Sequence, residues 1–267
     1  MVEIKGLQRF AEHFKDWQQH YVLIGGVASS LSMEEAGLDF RATKDLDIVL
    51  VIEMLSPAFA AHFWHFIQEG NYEIREKGGQ KPNCYRFLKP QNPDYPYQLE
   101  LFSRTPEGLA LTEEATLTPI PIEEDISSLS AILLDEDYYA FLMSGRQYAD
   151  DSGLAFIHAD RLIPFKAKAW IDLSQRKSQG ERVDSRDISK HRNDVLRLVG
   201  LLSGEPVILP ATLFQDMTHF IERLANESID LKAFGIRGTL AELIARLHSS
   251  FISDEPETAP EDMADLA

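Results

Sequence analysis

Asp45 and Asp47 stand two residues apart inside an otherwise apolar run, "DLDIVLVI". If that run is a strand, alternation puts both carboxylates on one face and turns Leu46 to the other. Two carboxylates side by side repel, and they persist when exposed, individually hydrogen-bonded, or bridged by a cation. Hard divalent ions such as Mg²⁺ or Mn²⁺ take oxygen ligands of this kind. A third comes from "YQLELFS", where Glu100 is flanked by apolar Leu99 and Leu101 in a second strand-like run. A neighbouring strand can bring Glu100 against Asp45 and Asp47 and complete a three-carboxylate cradle.

The residues just upstream suit an anion. "YVLIGGVASS" runs an apolar strand into Gly25 and Gly26, which permit close backbone approach, and then into a helix. The N-terminus of that helix offers unpaired N–H groups to a phosphate, with Ser29 and Ser30 nearby. A phosphate cradle beside metal-binding carboxylates describes phosphoryl or nucleotidyl transfer. A two-metal arrangement lowers the pKa of an attacking hydroxyl and stabilises a leaving pyrophosphate. Each element alone has a plainer reading. Two glycines after a strand can be only a tight turn, and an Asp-x-Asp can be a solvated strand edge.

Helical and strand-like patterns alternate in the first part of the chain. Helices are expected through 7–19, from Gly26 to about Ala36 and over 57–70, with strands at 21–24, 45–52, 72–76, 84–88 and 97–103. "KPQNPDYP" marks a turn, "TLTPIPI" and "LSAILL" read as strands, and "EDYYAFLMSG" as a helix closed by Gly145. Four further helices are expected over 161–177, 185–202, 211–226 and 238–252. The expected fold is therefore α+β, a mixed sheet flanked by helices and followed by a helical C-terminal half. Its expected divisions are an α/β domain over 1–150, a helical domain over 151–252 that completes the cleft, and an acidic tail over 253–267. That tail is low in hydrophobicity and contains prolines, and disorder is expected there.

Composition narrows the function classes. The formal net charge of -17 argues against a broad nucleic-acid footprint, which needs clustered Lys and Arg. The single cysteine, Cys84, excludes an internal disulfide or a cysteine-based zinc site. No segment reaches the roughly 20 apolar residues needed to span a bilayer. The mixed-charge N-terminus is unlike a signal peptide, so a cytoplasmic location with no membrane partner is expected.

"IGG" followed by a helix and "KDLDIVL" resembles the glycine-glycine and Asp-hydrophobic-Asp signature of the DNA polymerase beta-like nucleotidyltransferase superfamily. More narrowly, "GGVASS...FRATKDLDIVL", with Arg41 and Thr43 just before the aspartates, is similar to the AbiEii/AbiGii toxin family. "KAKA" (Lys166 to Ala169) and "DSRDI" (Asp184 to Ile188) match that family's later motifs. Members often carry an arginine soon after the lysine motif. Here Leu173 takes that position, and Arg176 is its approximate substitute.

The resemblance implies transfer of a nucleoside monophosphate from an NTP to a hydroxyl on RNA such as tRNA, on a protein or on a small molecule. It also implies a toxin-like role with a cognate antitoxin. On that reading Asp45, Asp47 and Glu100 hold the metal, Lys166 contacts phosphate, and Asp187 orients or deprotonates the acceptor. Gly25, Gly26, Ser29, Ser30, Thr43 and Lys44 join Lys166 as nucleotide-binding residues. Plainer readings accompany these. Asp184 suits a helix N-cap and Asp187 a favourable first-turn charge. The run "RDISKHRNDVLRL", with Arg186, Lys190, Arg197 and Asp187, Asp194 at helical spacings, reads as a salt-bridged face or as the basic wall of a nucleotide cleft. A catalytically silent nucleotide- or partner-binding protein of the same fold is the alternative. His62 and His65 lack further ligands in sequence and read as packing residues, as do Trp64 and Trp170.

Overall fold

The computed structural model describes residues 4–74, 84–102, 132 and 135–254. Its centre is a mixed seven-stranded sheet. The strands are β1 (Tyr21–Ile24), β2 (Asp45–Leu50), β3 (Glu73–Ile74), β4 (Cys84–Leu88), β5 (Gln98–Phe102), β6 (Arg146–Tyr148) and β7 (Ala155–Ile157), in the order β3-β4-β5-β2-β1-β7-β6. The pairs β2/β5 and β1/β7 are parallel, and β1/β2, β3/β4, β4/β5 and β6/β7 are antiparallel. With the helices around it this is the expected α+β fold.

Two helices cover one face. They are α1 (Leu7–His13) and α3 (Pro57–Gly70), the latter with Ser56 capping the Phe59 N–H, Pro57 at its first position and Asn71 in the left-handed conformation at its end. Their aromatic rings pack on the sheet. Phe10 meets Tyr21 edge-on with ring centres 5.2 Å apart, and Phe63 and Trp64 meet Phe87, each with centres 5.9 Å apart. Strand alternation turns Arg86, the neighbour of Phe87, to the opposite face. That face carries α2 (Gly25–Glu35), α5 (Ala159–Ser178) and α6 (Ser185–Leu198). Beyond them lie α4 (Glu136–Ser144), α7 (Ala211–Leu224) and α8 (Leu240–Ser250), the last opened by a Thr239/Glu242 capping box. No described helix is long and apolar enough to cross a membrane.

Several expectations change at element ends. The first helix stops at His13, and a separate turn of 3₁₀ helix at Gln18–His20 leads into β1. The last helix stops at Ser250. The chain then extends as β9 (Phe251–Ser253), which pairs in parallel with β8 (Val207–Leu209), a segment expected as a connector. Pairing satisfies backbone groups of two short apolar runs, and Leu209 and Phe251 are buried there. Strands β6 and β7 had no sequence counterpart, being too short to show a period. The sheet thus runs on to Ile157. The strands expected in "TLTPIPI" and "LSAILL" lie outside the described residues, Ile132 apart, as does the acidic tail beyond Asp254.

Candidate active site

Strand register assembles the carboxylates. Across the parallel β2/β5 pair Asp47 stands opposite Glu100, and Asp45 opposite Gln98. Asp45, Asp47 and Glu100 therefore share one face of the sheet, while Leu46, Leu99 and Leu101 are buried on the other. Glu100 is buried, and its Oε1 accepts from Arg86 Nη2 at 2.8 Å and Gln98 Nε2 at 2.7 Å. Burial pushes the Glu100 carboxyl up, Arg86 pulls it back, and Asp45 pushes it further up. Asp47 is pushed up to about 7, first by burial and then by the charge of Glu100, with Asp45 adding and Lys190 and Lys166 opposing. Burial makes charging these carboxylates costly and their mutual repulsion adds to that cost, and their hard oxygens suit a divalent ion. The oxygens of the trio are not all within 4.8 Å of one another, a spacing that only His13, His65 and Glu69 meet among the described residues. A single ion enclosed by all three carboxylates does not fit this arrangement. Ions held by fewer of them, with substrate oxygens and water completing the shell, do.

The two glycines make room for this cluster. Gly25 has a left-handed backbone, φ 65°, and a Cβ there would overlap Asp47 Oδ2. A Cβ on Gly26 would lie 2.5 Å from Thr43 Oγ1. Ile24, Gly25 and Gly26 line the cavity above the carboxylates, and the Ile24 N-cap makes no side-chain capping hydrogen bond. The first N–H groups of α2 lack intrahelical partners, so the positive end of this helix opens on the cavity. Ser29 and Ser30 do not line it. Both are buried, and Ser29 Oγ donates to the Gly25 carbonyl at 2.7 Å, one helical turn back. Lys44 is exposed and also stands outside the cavity lining, between Thr43 and Asp45, which belong to it.

The helical wall is organised by Asp194. This carboxylate is completely buried on α6 and accepts from Arg41 twice, Nε to Oδ1 at 2.8 Å and Nη2 to Oδ2 at 2.7 Å. Lys166 Nζ on α5 donates to Oδ2 at 2.9 Å, and Arg197 Nη1 lies 3.8 Å from Oδ1. Burial alone would raise the Asp194 carboxyl. The Lys166 ammonium and Arg41 guanidinium outweigh it and hold Asp194 far below the usual carboxylate range. Lys166, also buried, is lowered by desolvation despite Asp194. Lys166 also lines the cavity, and the hydrogen bond to Asp194 uses one of the three donors of its ammonium.

His191 lines the same wall. Burial, then Lys166 and Lys190, push its imidazole down to about 3, and its buried Nδ1 has no hydrogen-bond partner among the described residues. Asp187, exposed in the first turn of α6, lines the mouth with Lys190, Arg176 and Arg182. Asp184 lines it too, but its carboxylate caps α6 at the Arg186 N–H and pairs with the Arg186 side chain.

One cavity of about 240 Å³ therefore brings together Gly25, Gly26, Thr43, Asp45, Asp47, Glu100, Lys166 and Asp187. Sequence reasoning missed Arg86, His191 and the hub role of Asp194. A lone arginine in the apolar run "CYRFL" was the only available signal for Arg86. The arrangement places carboxylates on the sheet and positive charge on the helices across from them, a disposition that suits a polyanion carrying a cation.

No protein-family model matches the chain, and no curated protein matches it. Among solved structures, an antigenic nucleotidyltransferase-like protein from Paracoccidioides brasiliensis is similar over 92% of this chain and 91% of that one. The identity is 13% and the TM-score 0.47, a likeness that says nothing of what this chain does.

Proposed function

We propose that the chain is a Mg²⁺- or Mn²⁺-dependent nucleotidyltransferase that moves a nucleoside monophosphate from an NTP to a hydroxyl acceptor. The observation that carries this reading is the register of β2 on β5, which sets Asp47 opposite Glu100 with Asp45 on the same face, below the open end of α2. Asp45, Asp47 and Glu100 would share the metal ions, no one ion taking all three carboxylates, and the ions would supply charge neutralisation at the triphosphate and a lowered pKa for the attacking hydroxyl.

The chain's own groups do the rest. The N–H groups at the start of α2 and the Lys166 ammonium bind phosphate oxygens. Gly25 and Gly26 allow the backbone to approach, with Thr43 alongside. Asp187 at the mouth orients the acceptor hydroxyl and receives its proton. The acceptor oxygen bonds to the α-phosphorus, the bond from that phosphorus to the β-bridging oxygen breaks, and pyrophosphate leaves. Asp194 positions Lys166 and Arg41 without touching the reacting atoms. In this reading the helices of residues 151–252 complete the cleft.

The resemblance to AbiEii/AbiGii proteins supplies the acceptor classes to test, tRNA or other RNA, a protein side chain and a small molecule, and a cytoplasmic toxin role held by a cognate antitoxin. Incubation with each NTP labelled at the α- or the γ-phosphorus, with Mg²⁺ and total RNA or the chain itself, tests the reaction. Transfer of α-label but not γ-label supports nucleotidyl transfer; γ-label transfer contradicts it. Growth arrest on expression, absent in Asp47→Ala, tests the toxin role.

One observation favours the alternative, a catalytically silent nucleotide-binding protein. Glu100 Oε1 is already engaged by Arg86 and Gln98, so metal binding must compete with those donors. Saturable Mg²⁺·NTP binding without transfer to any acceptor class would support it.

A further inference from the structure

On the face of the sheet opposite the carboxylates, α1 and α3 bring together a second set of ligating side chains. His65 and Glu69 lie one turn apart on α3, and His13 ends α1. His13 Nδ1 and His65 Nδ1 each stand 3.8 Å from Glu69 Oε2, and one ligand atom from each of the three residues lies within 4.8 Å of the others. From the geometry we infer that His13, His65 and Glu69 form a Zn²⁺ site that clips α1 to α3.

The hydrogen bonds around the trio prepare it for a metal. His13 Nε2 meets the His62 carbonyl at 3.1 Å, and a carbonyl can only accept, so Nε2 carries the proton. In the neutral ring Nδ1 is then a bare lone pair, aimed at a carboxylate that also only accepts. A cation between them satisfies both. His62 fixes the ring further, stacking on His13 with centres 4.1 Å apart and returning its own Nε2 to the His13 carbonyl at 2.8 Å. Glu69 is held in turn by the Tyr95 hydroxyl, which donates to Oε2 at 2.9 Å. Metal ligands are oriented by outer partners of these types.

Two imidazoles and a carboxylate with one open position match the chemistry of Zn²⁺, whose bonds of about 2.0–2.2 Å place tetrahedral ligands roughly 3.3–3.5 Å apart. The two 3.8 Å contacts to Glu69 need a small closure, and the His13–His65 separation, within 4.8 Å, closes on the ion with them. His65 is largely exposed and Glu69 partly so, leaving an entry path from solvent. Arg9 is the competing cation at 3.6 Å from Glu69 Oε2, but its hydrogen bonds go to Tyr95 Oη at 3.2 and 3.3 Å.

The test is calorimetric titration of the chelator-treated full chain with ZnCl₂ in excess Mg²⁺, with Co²⁺ absorption as a second readout. We expect one Zn²⁺ equivalent at this site and a tetrahedral Co²⁺ spectrum. His65→Ala and Glu69→Gln, both at solvent-accessible positions, should each weaken that equivalent at least about tenfold, while Asp45→Asn/Asp47→Asn retains it. Absence of saturable Zn²⁺ binding, or binding that His65→Ala and Glu69→Gln leave unchanged, would overturn the assignment.

Discussion

Asp47 and Glu100 face each other across the parallel β2/β5 pair, and the carboxyl of Asp47 is pushed up to about 7 by burial and by that neighbour. The folded state thus binds a proton at Asp47 more tightly than the unfolded chain, where an aspartate titrates near ~3.9. Stability from this group is fully present below that unfolded value and is lost as pH rises from about 4 through about 7. In chelator at pH 8, Asp47→Asn is expected to raise stability by about 1–2 kcal/mol. Mg²⁺ should recover the difference in the wild type and not in the variant. Thermal melts across pH 5–8 with and without Mg²⁺ check this. Equal melting of the two proteins at pH 8 in chelator would contradict the repulsion.

The glycine pair gives a steric prediction. Gly25→Ala combines a left-handed backbone with an overlap on Asp47 Oδ2, and should cost at least about 2 kcal/mol and abolish metal-dependent nucleotide binding. Gly26→Ala meets Thr43 Oγ1 at 2.5 Å. It should cost about 1–3 kcal/mol and be partly rescued by Thr43→Ala, which removes that oxygen. Gly200, whose added Cβ would meet nothing within 4 Å, is the control. Gly200→Ala should leave stability unchanged or slightly raised, as read by denaturant titration.

How much of this was legible in the sequence follows from the kind of signal each feature leaves. Asp45, Asp47 and Glu100 are polar residues at strand spacing within apolar runs, and Gly25 and Gly26 follow a strand, so each breaks a pattern. Asp194 breaks none. It lies in a charged helix where carboxylates are ordinary, and only the tertiary approach of Arg41 and Lys166, 153 and 28 residues away, makes it a hub. His65 likewise needed His13 from another helix before it could be read as a ligand. Strands β6 to β9 have at most three residues each, too few for a period, and depend on long-range pairing. Ser29 and Ser30 follow the glycines but turn into the packed side of α2, which the weak amphipathic pattern of that helix did not reveal.

The Asp194 hub carries a stability prediction. Asp194→Ala leaves Lys166 and Arg41 without their shared anion and should cost about 3–5 kcal/mol. Asp184→Ala removes a helix cap and an exposed pair with Arg186 and should cost about 1 kcal/mol. Because the Asp194 carboxyl is held below its unfolded value, its contribution is present above about pH 4 and lost on acidification through its folded value. Wild-type stability should therefore fall below pH 4 more steeply than that of Asp194→Asn, measured by urea titration at a series of acid pH values.

Lys166 and Asp187 should separate binding from turnover. Lys166→Ala is expected to weaken NTP binding about 10- to 100-fold, the loss of one charge-assisted phosphate contact. Asp187→Asn should leave NTP affinity unchanged and lower kcat about 10²- to 10⁴-fold. Its effect on stability should stay within about 1 kcal/mol, the value of a first-turn charge. A variant at Asp187 with normal kcat would assign that residue to the helix terminus alone.

The most direct measurement is transfer of α-labelled NTP to acceptor by the wild type and Asp47→Asn side by side in Mg²⁺, after melting curves show both folded. Label incorporated by the wild type and absent with Asp47→Asn is the expected result. Equal incorporation by the two proteins would contradict a catalytic role for the paired carboxylates.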